Sequence, residues 1–147
     1  MPGTKDGTPP RWLPAVNRVV RVVQRLGAPV AVLELTGRRT GKRRRTPVSP
    51  MEWDGVRYVV AGYPSAQWVH NARAAGVGVL AVGRRRERVR LVELPAERAR
   101  PVLREFPVRV PSAVSPMVGA GVVPDGSPDA FEGLAGRCAV FRLEPDR

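Results

Sequence analysis

Between Leu33 and Val48 the chain reads LELTGRRTGKRRRTPV, and six of the eight positions from Arg38 to Arg45 are cationic. Arginine presents planar forks that bind phosphate or carboxylate at two points, and lysine adds a compact point charge. Gly37 and Gly41 let the backbone take positive φ and open its N–H groups to an anion, while Thr40 adds a hydroxyl. So dense a run of like charge costs free energy unless something negative neutralises it. The chemistry is that of a polyanion clamp. A solvated basic face, a nucleic-acid patch or a localisation signal is the plainer reading of the same run. A Walker A loop is excluded, because Gly37 to Lys42 is one residue short and Arg43 replaces the Ser or Thr that holds Mg²⁺.

Two strands must position this loop. The apolar run Val30 to Leu35 predicts a buried strand ending at Thr36-Gly37. A second strand is expected from near Thr46 to Glu52, broken by Pro47 and Pro50 and therefore at a sheet edge or bulged. Asp54-Gly55 predicts a hairpin, with Val56 to Ala61 returning. Gly62-Tyr63-Pro64-Ser65 is a tight connection, and Ser65 is expected to cap a short helix carrying Trp68 and Asn71 on one face. Gly78 to Val82 and Arg88 to Glu93 pair across Gly83-Arg84. Pro95 to Phe106 reads as a helix disturbed by Pro101. Val108 to Gly126 shows no clear period, Ser127-Pro128-Asp129 starts a helix, and Ala139 to Leu143 is a closing strand. The fold class is α+β: a small barrel of five or six mainly antiparallel strands with flanking helices.

Ahead of the clamp, residues 1–11 read as a flexible lead, leaving residues 12–147 as one domain. Pro14 to Leu26 predicts a basic amphipathic helix, with Val16, Val19, Val20, Val23 and Leu26 on one stripe. It would pack over a barrel end or touch a membrane surface.

The net charge of +12 and pI near 11.6 call for an anionic partner. Aromatic residues make up only 5%, too few for a base-stacking surface, and no helix-turn-helix or RNP pattern is present, so no nucleic acid is expected. One histidine (His70) and one cysteine (Cys138) leave no ligand set for a metal and no internal disulfide. No run is long and apolar enough to span a membrane, and the protein is expected to be cytoplasmic, with membrane association only through the N-terminal helix.

The order of these features resembles the deazaflavin-dependent nitroreductase family of small, FMN-binding-like split β-barrels that use coenzyme F-420. The resemblance rests on Leu35-Thr-Gly-Arg-Arg-Thr-Gly-Lys-Arg-Arg-Arg-Thr-Pro47, on Asp54-Gly55-x-x-Tyr58-x-Val60 and on Trp68-Val-His-Asn71-x-Arg73-Ala74. It implies that Arg38, Arg39 and Arg44 hold the phosphate and glutamate tail of F-420, with Thr46 and Pro47 on the same face; Thr40 and Lys42 of the same loop are further cofactor-binding candidates. It places Ala61, Gly62, Tyr63 and Ser65 along the deazaflavin, and Trp68 and Asn71 on the opposite side.

Tyr63 and Ser65 are the weak candidates for orienting substrate or relaying a proton; no other catalytic group stands out. Arg43 and Arg45 exceed the usual pattern, Gly62 to Gln67 is shorter than in many relatives, which carry a lysine there, and the C-terminal third lacks the tyrosines that some nitroreducing members place over the substrate. The implied activity is hydride transfer from reduced deazaflavin to a quinone, nitro compound or activated alkene. The alternative is a non-catalytic binder or carrier of F-420, FMN or a fatty acid, FMN ranking below F-420 as cofactor. The resemblance also leaves room for a homodimer.

Overall fold

The computed structural model describes residues 31–146; the expected lead at residues 1–11 and the basic helix from Pro14 to Leu26 lie outside the described residues. In chain order the elements are strands β1 (Ala31–Thr36), β2 (Arg43–Val48), β3 (Met51–Trp53) and β4 (Val56–Val60), helix α1 (Gln67–Ala75), and strands β5 (Val77–Val82) and β6 (Arg85–Glu93). Helix α2 (Ala96–Arg109), a 3-10 turn (Pro111–Ala113), α3 (Val114–Gly119), α4 (Pro128–Glu132) and strand β7 (Val140–Pro145) follow.

The strands form one antiparallel sheet of seven in the order β2-β1-β5-β6-β7-β4-β3. β2 and β3 are its two edges, yet only Ser49 and Pro50 separate them. That connection spans at most about 11 Å. The sheet must therefore curl until its edges approach, which makes a split barrel. Cross-strand partners Leu33 and Leu80, Leu91 and Leu143, and Val59 and Phe141 all point inward and are buried. Asp54 (φ 55°) and Gly55 (φ 76°) both take left-handed backbone, as a two-residue turn between β3 and β4 demands. At Gly78 a Cβ would lie 2.8 Å from the Glu34 carbonyl oxygen, so β5 can approach β1 only without a side chain there.

Several expectations are corrected. The proline-broken strand is two strands, which raises the expected count of five or six to seven. β2 begins at Arg43 rather than near Thr46, because the arginines alternate between the two faces of the sheet instead of filling a loop. Ser65 does not cap α1: the N-cap is Ala66, with no side-chain hydrogen bond. α2 runs through Pro101 and on to Arg109, held by buried Val102, Leu103 and Phe106. The stretch without a clear period holds the 3-10 turn and α3, and buries Met117, Ala120, Val122 and Val123. Ser127 does cap α4, its Oγ accepting from the Ala130 N–H at 3.1 Å.

Candidate cofactor site

The β1–β2 loop is tied at its base. The Gly37 N–H donates to the Lys42 carbonyl at 2.7 Å and the Gly41 N–H to the Gly37 carbonyl at 2.9 Å. Thr40 Oγ1 accepts from the Lys42 N–H at 3.2 Å, and Gly41 supplies the positive φ of 72° that the return requires. These bonds lift Arg38 and Arg39 to the loop apex. There Arg38 is pinned to α1: its backbone N–H and its Nη1 both donate to Asn71 Oδ1 at 3.1 Å, and its Nη2 donates to Gln67 Oε1 at 3.1 Å.

Asn71 lies four positions after Gln67 and three after Trp68, so its side chain neighbours both along α1. Trp68 packs on the core through Phe141, ring centroids 5.5 Å apart. Between α1 and the loop runs a groove of about 590 Å³, lined by Gly37 to Thr40, by Arg43 to Thr46 of β2, and by the three α1 residues. Its lining contains five arginines and no acidic side chain.

Strand alternation sorts those arginines. Arg44 lies opposite buried Leu35 and Thr46 opposite buried Leu33, so both belong to the inner face at the barrel rim. Arg43 and Arg45 lie opposite Thr36 and Glu34 on the outer face. Because Gly37 and Lys42 form a hydrogen-bonded pair, the alternation turns the backbone groups of Arg43, Arg45 and Pro47 toward the free edge of β2. Pro47 therefore removes no ladder bond.

On the outer face Glu34 is buried, at 4% exposed. Its carboxylate accepts from Arg86 at 2.7 and 3.0 Å, with Arg43 and Arg45 at 3.5 and 3.8 Å. The Arg86 hydrogen bonds hold its pKa below the usual carboxylate range against the opposing effect of burial, and the charges of Arg86, Arg45 and Arg43 add to them.

Of the sequence-derived site residues, the groove brings together Arg38, Arg39, Thr40, Arg44, Thr46, Trp68 and Asn71. Lys42, Pro47, Ala61, Gly62, Tyr63 and Ser65 are not in its lining. Ala61 is fully buried and its N–H donates to the Ala139 carbonyl at 2.9 Å. Tyr63 is part of the core, where burial pushes its phenol pKa up. Gly37, Arg43, Arg45 and Gln67 join the lining without having been singled out as ligands. Glu34 went unremarked in the sequence; one acidic residue within an apolar strand was the available signal.

A smaller cavity of about 410 Å³ lies beyond α1, beside the Arg73–Glu93 ion pair and Cys138. Cys138 is buried and its thiol is pushed up to about 12 by desolvation.

The curled antiparallel sheet is a split barrel, with a cationic groove at one edge. The model of the F420H(2)-dependent quinone reductase family matches residues 14–115. The chain belongs to that family, and with it to the oxidoreductases that use coenzyme F-420. No curated protein matches the chain. Among solved structures, one described as a domain-swapped dimer is 19% identical, with a TM-score of 0.55 over 88% of this chain and 99% of that one. A second, an F420-H2 dependent reductase, is 21% identical with a TM-score of 0.53 over 78% and 93%. General Stress Protein 26 from Bacillus anthracis is 9% identical, with a TM-score of 0.50 over 88% and 90%. At these identities the likeness is one of fold.

Proposed function

We propose that the groove between the β1–β2 loop and α1 holds F-420 by its phosphate and carboxylates, and that the protein reduces a quinone. The observation that carries this reading is the convergence of five arginines, with no carboxylate among them, on a groove bounded by Trp68. The donor set fits the cofactor: guanidinium forks match phosphate and carboxylate oxygens, and a half-buried indole offers a flat apolar wall. F-420, once bound, supplies the hydride donor.

The chain's own residues bind and orient. Arg38 is fixed by Asn71 and Gln67, while Arg39 and Arg44 form no ion pair among the described residues and are available to a ligand. No side-chain type in the groove lining titrates near neutrality. Tyr63 lies outside that lining, and burial raises its phenol pKa, so it stays protonated at neutral pH. We read residues 12–147 as one functional unit.

The test is a titration with F-420, FMN and a short DNA duplex at two salt concentrations, followed by oxidation of the reduced cofactor with quinone, nitro and activated-alkene acceptors. Tight F-420 binding, weak FMN and DNA binding and turnover with quinones are expected. Absence of F-420 binding overturns the reading, and binding without turnover of any acceptor points to a carrier.

A further inference from the structure

The second cavity, of about 410 Å³, falls inside the range of roughly 300–1,000 Å³ typical of small-molecule sites. Arg73 follows Asn71 by two positions, about 200° around the helix. This cavity and the arginine groove therefore occupy opposite sides of α1, and they share no lining residue. The cavity floor is made by Ala99, Cys138 and Val140, each 2% exposed or less. Its rim carries the charges, on Arg73, Glu93 and Arg137.

The two arginines of the rim differ. Arg73 donates from Nε and Nη2 to the Glu93 carboxylate at 2.8 and 2.7 Å, so one acid neutralises it. Arg137 forms no ion pair among the described residues. Its charge is felt inside the cavity, where it opposes the upward push of burial on the Cys138 thiol. Gly136, at φ 82°, makes the left-handed turn that brings this segment against α2: a Cβ on it would lie 3.7 Å from Ala96 Cβ. α2 starts at that point with Pro95 as its N-cap and no side-chain hydrogen bond, which leaves its first N–H groups to a ligand or to water. Beneath them the protonated Cys138 thiol is a buried donor with no hydrogen-bond partner among the described residues.

We propose that this cavity binds a small organic acid, its apolar body on Ala99, Cys138 and Val140 and its carboxylate between Arg137 and the start of α2. Both halves of the ligand follow from the lining. An inorganic anion would leave the apolar floor unused, and a neutral hydrocarbon would leave Arg137 without a counter-charge. A guanidinium fork and a helix start that both face one point favour negative charge there. The site is independent of F-420 and of the groove that would hold it.

The test is an amide NMR titration with three probes: benzoate, its neutral counterpart benzamide, and acetate, which has the charge without the body. Benzoate should move the Ala96, Gly136 and Cys138 signals saturably and bind roughly tenfold or more tighter than either other probe. Arg137→Gln should weaken benzoate about tenfold, and Arg137→Lys should keep part of the affinity. Arg137 is exposed, so both variants should fold as the wild type does. The groove variant Arg39→Ala/Arg44→Ala should show the same benzoate shifts as wild type.

Unmoved signals at Ala96, Gly136 and Cys138 overturn the assignment. Equal affinity for benzoate and acetate overturns it by marking a general anion patch, and equal affinity for benzoate and benzamide overturns it by leaving the carboxylate no role. Unchanged benzoate affinity in Arg137→Gln does the same. Loss of the shifts in Arg39→Ala/Arg44→Ala would move benzoate to the groove and overturn the inference too. None of these outcomes bears on F-420 binding, which is titrated separately.

Discussion

Asn71 Oδ1 accepts two hydrogen bonds from Arg38, one from its backbone N–H and one from its guanidinium, each 3.1 Å long. A single buried amide thereby fixes both where the loop sits and where its first arginine points. Asn71→Ala removes this acceptor and both its hydrogen bonds and should lower the melting temperature by roughly 3–8 °C, as loss of a partly buried hydrogen-bond partner costs ~1–2 kcal/mol. Asn71→Asp keeps the accepting oxygen but puts a negative charge in the groove. It should melt near the wild-type temperature and bind F-420 at least about tenfold more weakly. Unchanged affinity in Asn71→Asp would show that the anion lies elsewhere.

Arg39 and Arg44 approach the groove from the loop and from β2. Losing charge-assisted hydrogen bonds at ~1.5–3 kcal/mol each, the double variant Arg39→Ala/Arg44→Ala should bind F-420 roughly a hundredfold or more weakly. Calorimetry or fluorescence titration reads this directly. An affinity within twofold of wild type refutes the clamp.

Glu34 should make the fold acid-sensitive. Its pKa is depressed in the folded protein, chiefly by the Arg86 hydrogen bonds, so its contribution is full above the unfolded carboxylate pKa near ~4.3 and is lost as pH falls through the folded value. Melting temperature should drop between pH 5 and pH 3, and Glu34→Gln should flatten that drop. Glu87, depressed in the same sense by Arg57, will leave a residual slope. A Glu34→Gln protein as acid-sensitive as wild type would contradict the assignment.

Gly78→Ala should destabilise the sheet by ~1–3 kcal/mol, because the new methyl group meets the Glu34 carbonyl oxygen and Leu35 Cδ2, both at 2.8 Å. Chemical denaturation measures the loss. An unchanged midpoint would mean that β1 and β5 can separate freely.

Cys138, 2% exposed and with its thiol pushed up to about 12, should resist alkylation in the native protein at pH 8 and react promptly in denaturant. Rapid native labelling would show that the wall between β7 and α4 opens.

The local signals read well in sequence. Asp54-Gly55 fixed a hairpin, and the prolines at 47 and 50 marked a strand at an edge, because turn geometry and missing N–H groups act over a few residues. The loop arginines and the Trp68–Asn71 pair were also legible as two halves of one site, though only resemblance placed them face to face. What escaped depended on distant partners. Arg43 and Arg45 read as loop because the carboxylate that steadies them on β2 belongs to β1 and is shared with Arg86, 52 residues beyond Glu34. The helix at Val114–Gly119 escaped because its few apolar residues acquire meaning only against the core that buries Met117 and Val123.

β7 is the last strand in the chain but lies between β6 and β4. Until it docks, the sheet exists as two separate pieces, β2-β1-β5-β6 and β4-β3, joined by the short β2–β3 crossing and by the chain through α1. During synthesis the arginine loop is therefore made early and left waiting on a half-sheet, with the free edge of β6 open to any extended chain nearby. Val140–Pro145 acts as a keystone: the ribosome must finish it before the molecule can close, and that interval is when the nascent protein is most exposed to mispairing.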